Sequence, residues 1–330
     1  MNDLVDETGN AGATCTNNTN GAKLLYKSQT RFMFHSHVKI KLPAFYPDNL
    51  FDSLFAVAEN FDKNYNTFSK NSFLDKINKN SGSFTDVDTQ TVDLLQSVIA
   101  LCNNFDGEYD ITVMPLLRAL GFFESEISPH RSNRRMQNSL EQSKKLVDFR
   151  RIEIRGNFVK TGKQQEIVSG SFLKGYAVDK VIAQMRAAGI SDGMVNAGGS
   201  TLFALANQQH KNWQIIVNHP ATNKNLFNLN IKNQCFSTSA QNIIFVENGN
   251  RKFGHIINPK TGLPSENQQV GIISNDCLTG DVFSTALMNF TGKTFLKKIK
   301  LLRQNFDIEG FMLDNDDKLF FSDGFKNYFC

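Results

Sequence analysis

The sequence predicts an α+β fold in which helices pack on antiparallel sheets. Three observations carry that expectation. Strand-like segments paired like hairpins outnumber regular strand–helix–strand alternation. Several longer segments repeat apolar residues at helical spacing. The chain has 330 residues, 40% of them hydrophobic, enough to bury one large core or two modest ones.

Residues 1 to 25 are rich in Asn, Thr and Gly and poor in large apolar side chains, which predicts a mobile tail. FMFHSHVKIKL, Phe32 to Leu42, alternates from Val38 onward and predicts a strand. In NLFDSLFAVAENFDKNY, Leu50, Leu54, Phe55 and Val57 recur at the spacing of an amphipathic helix. A second helix, TQTVDLLQSVIALCNNF, starts at Thr89 as its N-cap and leads into DGEYDITVMPLLRALGFF. The polar run from Glu124 to Lys145 reads as an exposed excursion. RRIEIRGNFVKTG and QQEIVSGSF then read as strands joined by a glycine-containing turn.

The segment GSFLKGYAVDKVIAQMRAAGISDGMVNAGGS, Gly170 to Ser200, sets a helix between two glycine-rich loops. From Leu173, an apolar stripe runs through Ala177, Val178, Val181, Ile182, Met185 and Ala188, and Gly189 closes it. At its start, Gly170, Gly175 and the charge of Lys174 suit an anion held by backbone N–H groups. The pattern is neither a P-loop nor GxGxxG, and on glycine content alone an ordinary strand-to-helix turn is the better reading. Asn196 to Ser200, NAGGS, reads either as a hairpin turn or as a place where backbone approaches a ligand.

HIINPKTGLP puts His255 at the end of a short strand, just before a Pro-Lys-Thr-Gly turn. In GDVFSTALMNF, Asp281, Ser284 and Thr285 fall at i, i+3 and i+4, one face of a helix. Oxygen donors with a single carboxylate suit Mg²⁺ whose remaining charge is met by substrate phosphates. An N-terminal capping cluster has the same signature.

Composition narrows the function classes. With 36 basic and 32 acidic residues and no dense Lys/Arg block, the composition argues against a dedicated nucleic-acid binder but leaves room for a nucleotide or other small anion. The five cysteines, Cys15, Cys102, Cys235, Cys277 and Cys330, form no CxxC pair, which argues against a disulfide scaffold or structural zinc site. The N-terminus lacks a basic-then-apolar signal pattern, and no window approaches the ~18 apolar residues of a membrane span. The expected location is cytoplasmic, with export or membrane association as the alternative if a leader is missing.

Taken in order, DGEYDITVMPLL, KGYAVDKVIAQMRAAGI, VNAGGS, WQIIVNHP, TSA, HIINPKTGLP and DVFSTAL resemble the FAD:protein FMN transferase (ApbE) family, from about Phe32 to the C-terminus. The resemblance implies a single compact T-fold-like unit over residues 26–330. It also implies an enzyme that moves FMN from FAD to a Ser or Thr hydroxyl of an acceptor flavoprotein, with Mg²⁺ as cofactor and AMP released. Phe34 and Phe68 correspond to the residues that sandwich the isoalloxazine ring. Glu108, Tyr109 and Asp110 correspond to the loop touching the flavin, Lys174 to the position beside the phosphates, and Ile257 to a backbone contact. Ser171, Asp281, Ser284 and Thr285 correspond to the Mg²⁺ ligands, and His255 is the candidate base with Lys174 as its catalytic partner. Three positions depart from the family pattern: Val168 opens the phosphate loop where the family has Asp, Ser200 follows the double glycine, and Asn258 replaces the Asp of Ile-Asp-Pro. A pyrophosphatase splitting FAD to FMN and AMP, or a degenerate FAD-binding protein, would keep the same pocket.

Overall fold

The structure is a computed structural model that describes residues 13–14, 24–123, 133–241, 245–248 and 251–330. Cys15 and nearly all of the expected tail lie outside those residues. Its centre is an eight-stranded sheet of β1 (Tyr26–Met33), β2 (Ser36–Pro43), β3 (Gly193–Ala197), β4 (Thr201–Leu205), β5 (Gln234–Ala240), β6 (Gln269–Ser274), β7 (Ile308–Leu313) and β8 (Leu319–Phe321). The eight lie side by side in chain order, and each adjacent pair is antiparallel. The helices sit in the connections. Between β2 and β3 come α1 (Asp48–Tyr65), α2 (Phe73–Lys79), α3 (Thr89–Cys102), α4 (Met114–Leu120), α5 (Asn133–Lys144) and α6 (Leu173–Ala187), and between β6 and β7 come α7 (Cys277–Leu287) and α8 (Gly292–Leu302).

Side chains on a strand alternate between faces, so the sheet carries two cores. Val38, Ile40 and Leu42 meet Phe51, Leu54 and Phe55 of α1 and Val178, Val181, Ile182 and Met185 of α6. On the opposite face, Met194, Leu202, Phe236, Ile273 and Phe311 pack against Trp213, Ile215 and Val217. Those last three belong to Trp213–Asn218, which pairs with Asn225–Ile231 in a small separate sheet. Each fully buried Phe or Leu contributes roughly 1.5–3 kcal/mol. Among the described residues, no helix is long and apolar enough to cross a membrane.

Several expectations are refined. The alternating strand begins at Ser36, because Phe32 and Met33 end the preceding strand of a hairpin. Its two-residue loop, Phe34 and His35, has φ of 53° and 56°, the left-handed region usually left to Gly or Asn. Helix α3 is capped by Asp88, which accepts from Thr91 N–H, so Thr89 is its first residue rather than its cap. The polar run after Glu124 is no simple excursion. Asn133–Lys144 is helical and buries Met136 and Leu140, four residues apart, against α4, while residues 124–132 lie outside the described ones. The hairpin near Gly156 forms within the first predicted segment, Glu153–Arg155 with Phe158–Lys160, and residues 164–172 are not a strand.

Two carboxylates hold the N-terminus of helix α7. Asp276 is the N-cap and accepts from Thr279 N–H at 2.7 Å. From α6, Asp179 accepts from Cys277 N–H at 2.7 Å and Leu278 N–H at 2.9 Å. These bonds satisfy N–H groups that no helix can satisfy internally. Burial pushes the Asp179 carboxyl up to about 7, with the Cys277 and Leu278 N–H groups opposing it. The folded chain therefore binds this proton more tightly than the unfolded one, where the ordinary value is about 3.9. The associated stability is fully present below about pH 4 and is lost as pH rises through about 7. Asp179→Asn removes the titration, so chemical denaturation between pH 4 and 8 should show a flatter stability profile for the variant than for the parent. It should also cost about 1–2 kcal/mol, because one of the two N–H groups loses its acceptor.

Candidate active site

The site is built where α6 crosses α7 over β4 and β5. Gly175 lies inside α6, and a Cβ placed on it would stand 2.3 Å from the Cys277 carbonyl oxygen and 2.9 Å from Asp281 Oδ2. Glycine is needed here for helix approach, not for a ligand as the sequence suggested, because the Gly175 N–H already donates to Asp281 Oδ2 at 2.8 Å. The other carboxylate oxygen, Oδ1, accepts from Thr201 Oγ1 and Ser237 Oγ, each at 2.7 Å. Gly280 completes the contact, since its Cβ would meet the hydroxyls of Ser237 and Ser274 at 2.8 Å.

One turn along α7, the Ser284 and Thr285 hydroxyls lie 2.9 and 3.0 Å from Ser239 Oγ. The face predicted from the i, i+3, i+4 spacing is real, and it is not a cap, because Asp276 fills that role. The sheet divides it into two tiers: Asp281 with Thr201 and Ser237, then Ser284 and Thr285 with Ser239. Sequence reasoning missed Thr201, Ser237 and Ser239 as site residues. The available signal was Ser-Thr-Ser at 237–239, whose two serines a strand turns to the same face.

Asp281 is buried, and burial pushes its carboxyl up; the nearby Lys174, the two hydroxyls and the Gly175 N–H pull it back down. Burial also pushes the Lys174 ammonium down, with the Asp281 charge opposing. Lys174 donates to Ser200 Oγ at 2.5 Å, which brings the first helical turn of α6 to the turn between β3 and β4. That turn is the predicted hairpin: Gly198 and Gly199 have φ of 67° and 69°, and a Cβ on Gly198 would meet Ser36 Oγ at 2.7 Å. NAGGS is therefore a hairpin turn, and it also supplies Ser200 to Lys174.

A second cluster adjoins the first. The Tyr109 hydroxyl lies 2.8 Å from Ser171 Oγ, and burial pushes its phenol well above the ordinary range. Glu108 accepts from Asn258 Nδ2 at 2.8 Å and from Lys260 Nζ at 2.9 Å, joining the DGEYD loop to the turn after His255. Asn258 Oδ1 shapes that turn by accepting from the N–H groups of Lys260 and Thr261. Ile257 is buried and bridged to Pro264. His255 is half-buried, and the next residue, Ile256, is fixed through both backbone groups by Gln241, another residue the sequence did not mark. Asp110 turns inward: its oxygens accept from Thr112 N–H, Thr112 Oγ1 and Phe149 N–H. Val168 donates its N–H to Ile111, and Ser169 Oγ accepts from Thr67 N–H, which sets half-exposed Phe68 at the rim. Phe34 packs against the α1–α6 core and against a neighbouring cluster that includes Phe61, Tyr65 and Tyr176.

Hard oxygen donors dominate the α6–α7 tiers. Among the described residues no group of three or more His, Cys, Asp or Glu could hold a metal ion. A cation here would depend on the single carboxylate of Asp281, the hydroxyls of Thr201, Ser237, Ser239, Ser284 and Thr285, and oxygens brought by a ligand. That donor set fits Mg²⁺, which keeps few protein carboxylates and completes its shell with phosphates and water. Three donors already occupy the Asp281 oxygens, leaving lone-pair capacity for one further partner.

A family model described as the ApbE family matches residues 34–308. A FAD:protein FMN transferase from Vibrio cholerae serotype O1 is 26% identical over 240 residues, 70% of this chain and 70% of its own. One from Haemophilus influenzae is 25% identical over 244 residues, with the same shares. Among solved structures, the ApbE protein from Thermotoga maritima superposes with a TM-score of 0.82 at 22% identity, covering 92% of this chain and 99% of its own. The flavin transferase ApbE from Vibrio cholerae gives 0.79 at 22% identity, with the same coverage.

The helix crossing yields a direct test. Gly175→Ala should destabilise the protein by about 1–3 kcal/mol in urea denaturation, because α6 and α7 must separate to admit the methyl group. Gly170→Ala, whose Cβ would meet nothing within 4 Å, should stay within about 0.5 kcal/mol of the parent.

Proposed function

The chain belongs to the ApbE family, and from that premise we propose that it is an Mg²⁺-dependent FAD:protein FMN transferase acting on a Ser or Thr of an acceptor flavoprotein, with release of AMP. The observation that carries the proposal is the pairing of Lys174 with a buried, hydroxyl-ringed Asp281 where α6 crosses α7. A cation and a polyanion share such a place readily: the carboxylate and hydroxyls hold the metal, and the ammonium holds phosphate oxygens. Mg²⁺, when bound, would supply neutralisation of charge on the pyrophosphate.

The residues of this chain have separable tasks. Lys174 binds the phosphates, and Ser200 orients its ammonium. Ser171, fixed by Tyr109, offers a hydroxyl at the start of α6. Asp281, Ser284 and Thr285 hold the metal from one helix face. Phe34 and Phe68 bound the flavin ring, while the Glu108 loop and the Ile257 backbone border it. His255 accepts the proton of the acceptor hydroxyl as its oxygen attacks the phosphorus of the FMN half; the bond to the AMP half breaks and AMP leaves with the bridging oxygen.

The departures from the family pattern fit an adapted site better than a decayed one. Asn258 can donate to Glu108, whereas an Asp at that position would set two carboxylates against each other. Lys260 reinforces the same link. Ser200 accepts from Lys174. These contacts account for two of the three departures, Asn258 and Ser200, and would serve transfer, hydrolysis and binding alike.

Incubation with FAD, Mg²⁺ and a flavoprotein bearing a family-type Ser/Thr site should release AMP and raise the acceptor's intact mass by one FMN less water. His255→Ala should lower the rate by ~10²–10⁴-fold while FAD binding persists. AMP without acceptor labelling would instead identify a pyrophosphatase, and FAD binding without AMP a binding protein.

A further inference from the structure

Ser237, Ser239 and Gln241 fall at alternate positions along β5 and the residue just after it, the spacing that turns strand side chains to one face. Ser237 donates to Asp281, and Ser239 bonds Ser284 and Thr285. Gln241 reaches instead to the turn that carries His255. Its Oε1 accepts from Ile256 N–H at 3.1 Å, and its Nε2 donates to the carbonyls of Ile256 at 2.8 Å and Ser265 at 2.9 Å. Both amide hydrogens are used, and the side chain is buried.

The residues on either side of His255 are both set against this one amide. Gly254 precedes it, and a Cβ there would stand 2.1 Å from Gln241 Oε1. Ile256 follows it, bonded through its N–H and its carbonyl. Ser265, gripped by the same Nε2, donates through its hydroxyl to the Met288 carbonyl, where α7 ends. An apolar side chain would fill this buried space without needing partners for its polar atoms. What the amide adds is direction, because hydrogen bonds fix the backbone in distance and angle where apolar packing does not. A general base needs such precision, since it works only within roughly 2.6–3.2 Å of the proton it takes.

We propose that Gln241 is the positioning residue for His255, aligning its imidazole with the hydroxyl tiers that Ser237 and Ser239 hold from the same strand. The inference rests on the flavin-transfer reading, in which His255 accepts the proton of the acceptor hydroxyl. Gln241 acts through the backbone of residues 254–256 and touches none of the reacting atoms. One strand thereby sets the base and the Asp281 carboxylate in a common frame.

The test is a double-mutant cycle on the full chain with FAD, Mg²⁺ and the acceptor flavoprotein, read as AMP release and acceptor mass. Gln241→Met keeps the side-chain length and removes all three hydrogen bonds. It should lower kcat by roughly 10–100-fold and leave the Kd for FAD unchanged. In a His255→Ala background the same substitution should cost less than about twofold more, because the group it positions is already gone. Asn233→Gly removes a comparable amide clamp, on the Ala206 backbone at the other end of β5, and should lower the melting temperature without lowering kcat. Thermal melts establish that each variant is folded. Should Gln241→Met unfold, Gln241→Glu keeps the size and one acceptor oxygen but sets the other against two carbonyls, and kcat should fall in the same way. A folded variant of Gln241 with kcat within twofold of the parent, or losses that multiply in the double variant, would overturn the positioning role alone. A parent chain that releases no AMP or labels no acceptor would overturn the transfer reading and this role with it.

Discussion

The contact of α6 with α7 at Gly175 is the constraint on which the candidate site depends. A methyl group on Gly175 would collide with the Cys277 carbonyl and crowd the Asp281 carboxylate. Because the side chain is absent, the Gly175 N–H reaches Asp281, and Asp179 from the same helix reaches the first N–H groups of α7. Helix α6 therefore fixes both the start of α7 and the carboxylate one turn along it. Strands β4 and β5 close the arrangement from below with Thr201 and Ser237. Lys174 precedes Gly175 directly, so the same contact places a cation beside the carboxylate.

An ionisable pair in such surroundings is held at a cost. Burial pushes Asp281 toward its neutral acid and Lys174 toward its neutral amine, and each charge offsets part of that cost for the other. A buried pair with its donors in place is weak evidence for stability and better evidence for a task. A metal ion beside the carboxylate and a phosphate beside the ammonium would favour both charged forms. The DGEYD loop and the His255 turn obey the same electrostatic logic, with a carboxylate on one answered by an amide and a lysine on the other.

Legibility differed by element. The shared face of α7 was legible on the condition that the segment is helical, because Asp281, Ser284 and Thr285 then fall at i, i+3 and i+4, a local property of the chain. Helix α6 and its Gly189 terminus were legible for the same reason, and Gly189 takes φ 74° as expected. The role of Gly175 was misread, because close approach of a second helix leaves no mark in the first helix's sequence. Helix α5 was hidden in a polar run, where two apolar residues four apart are enough once α4 offers a surface. Thr201, Ser237 and Ser239 look like ordinary strand hydroxyls until α7 lies over them.

By itself, the sequence determined the class of fold, the face that Asp281, Ser284 and Thr285 share once helical, the cation at Lys174, and an ordered set of motifs sufficient to identify the family. These follow from periodicity, turn chemistry and residue order, all written along the chain. Only the tertiary structure decided that the eight main strands stand in chain order and that Asp281 is satisfied by one N–H and two hydroxyls. Those partners come from segments far apart in sequence, and long-range packing brings them within hydrogen-bond or van der Waals reach.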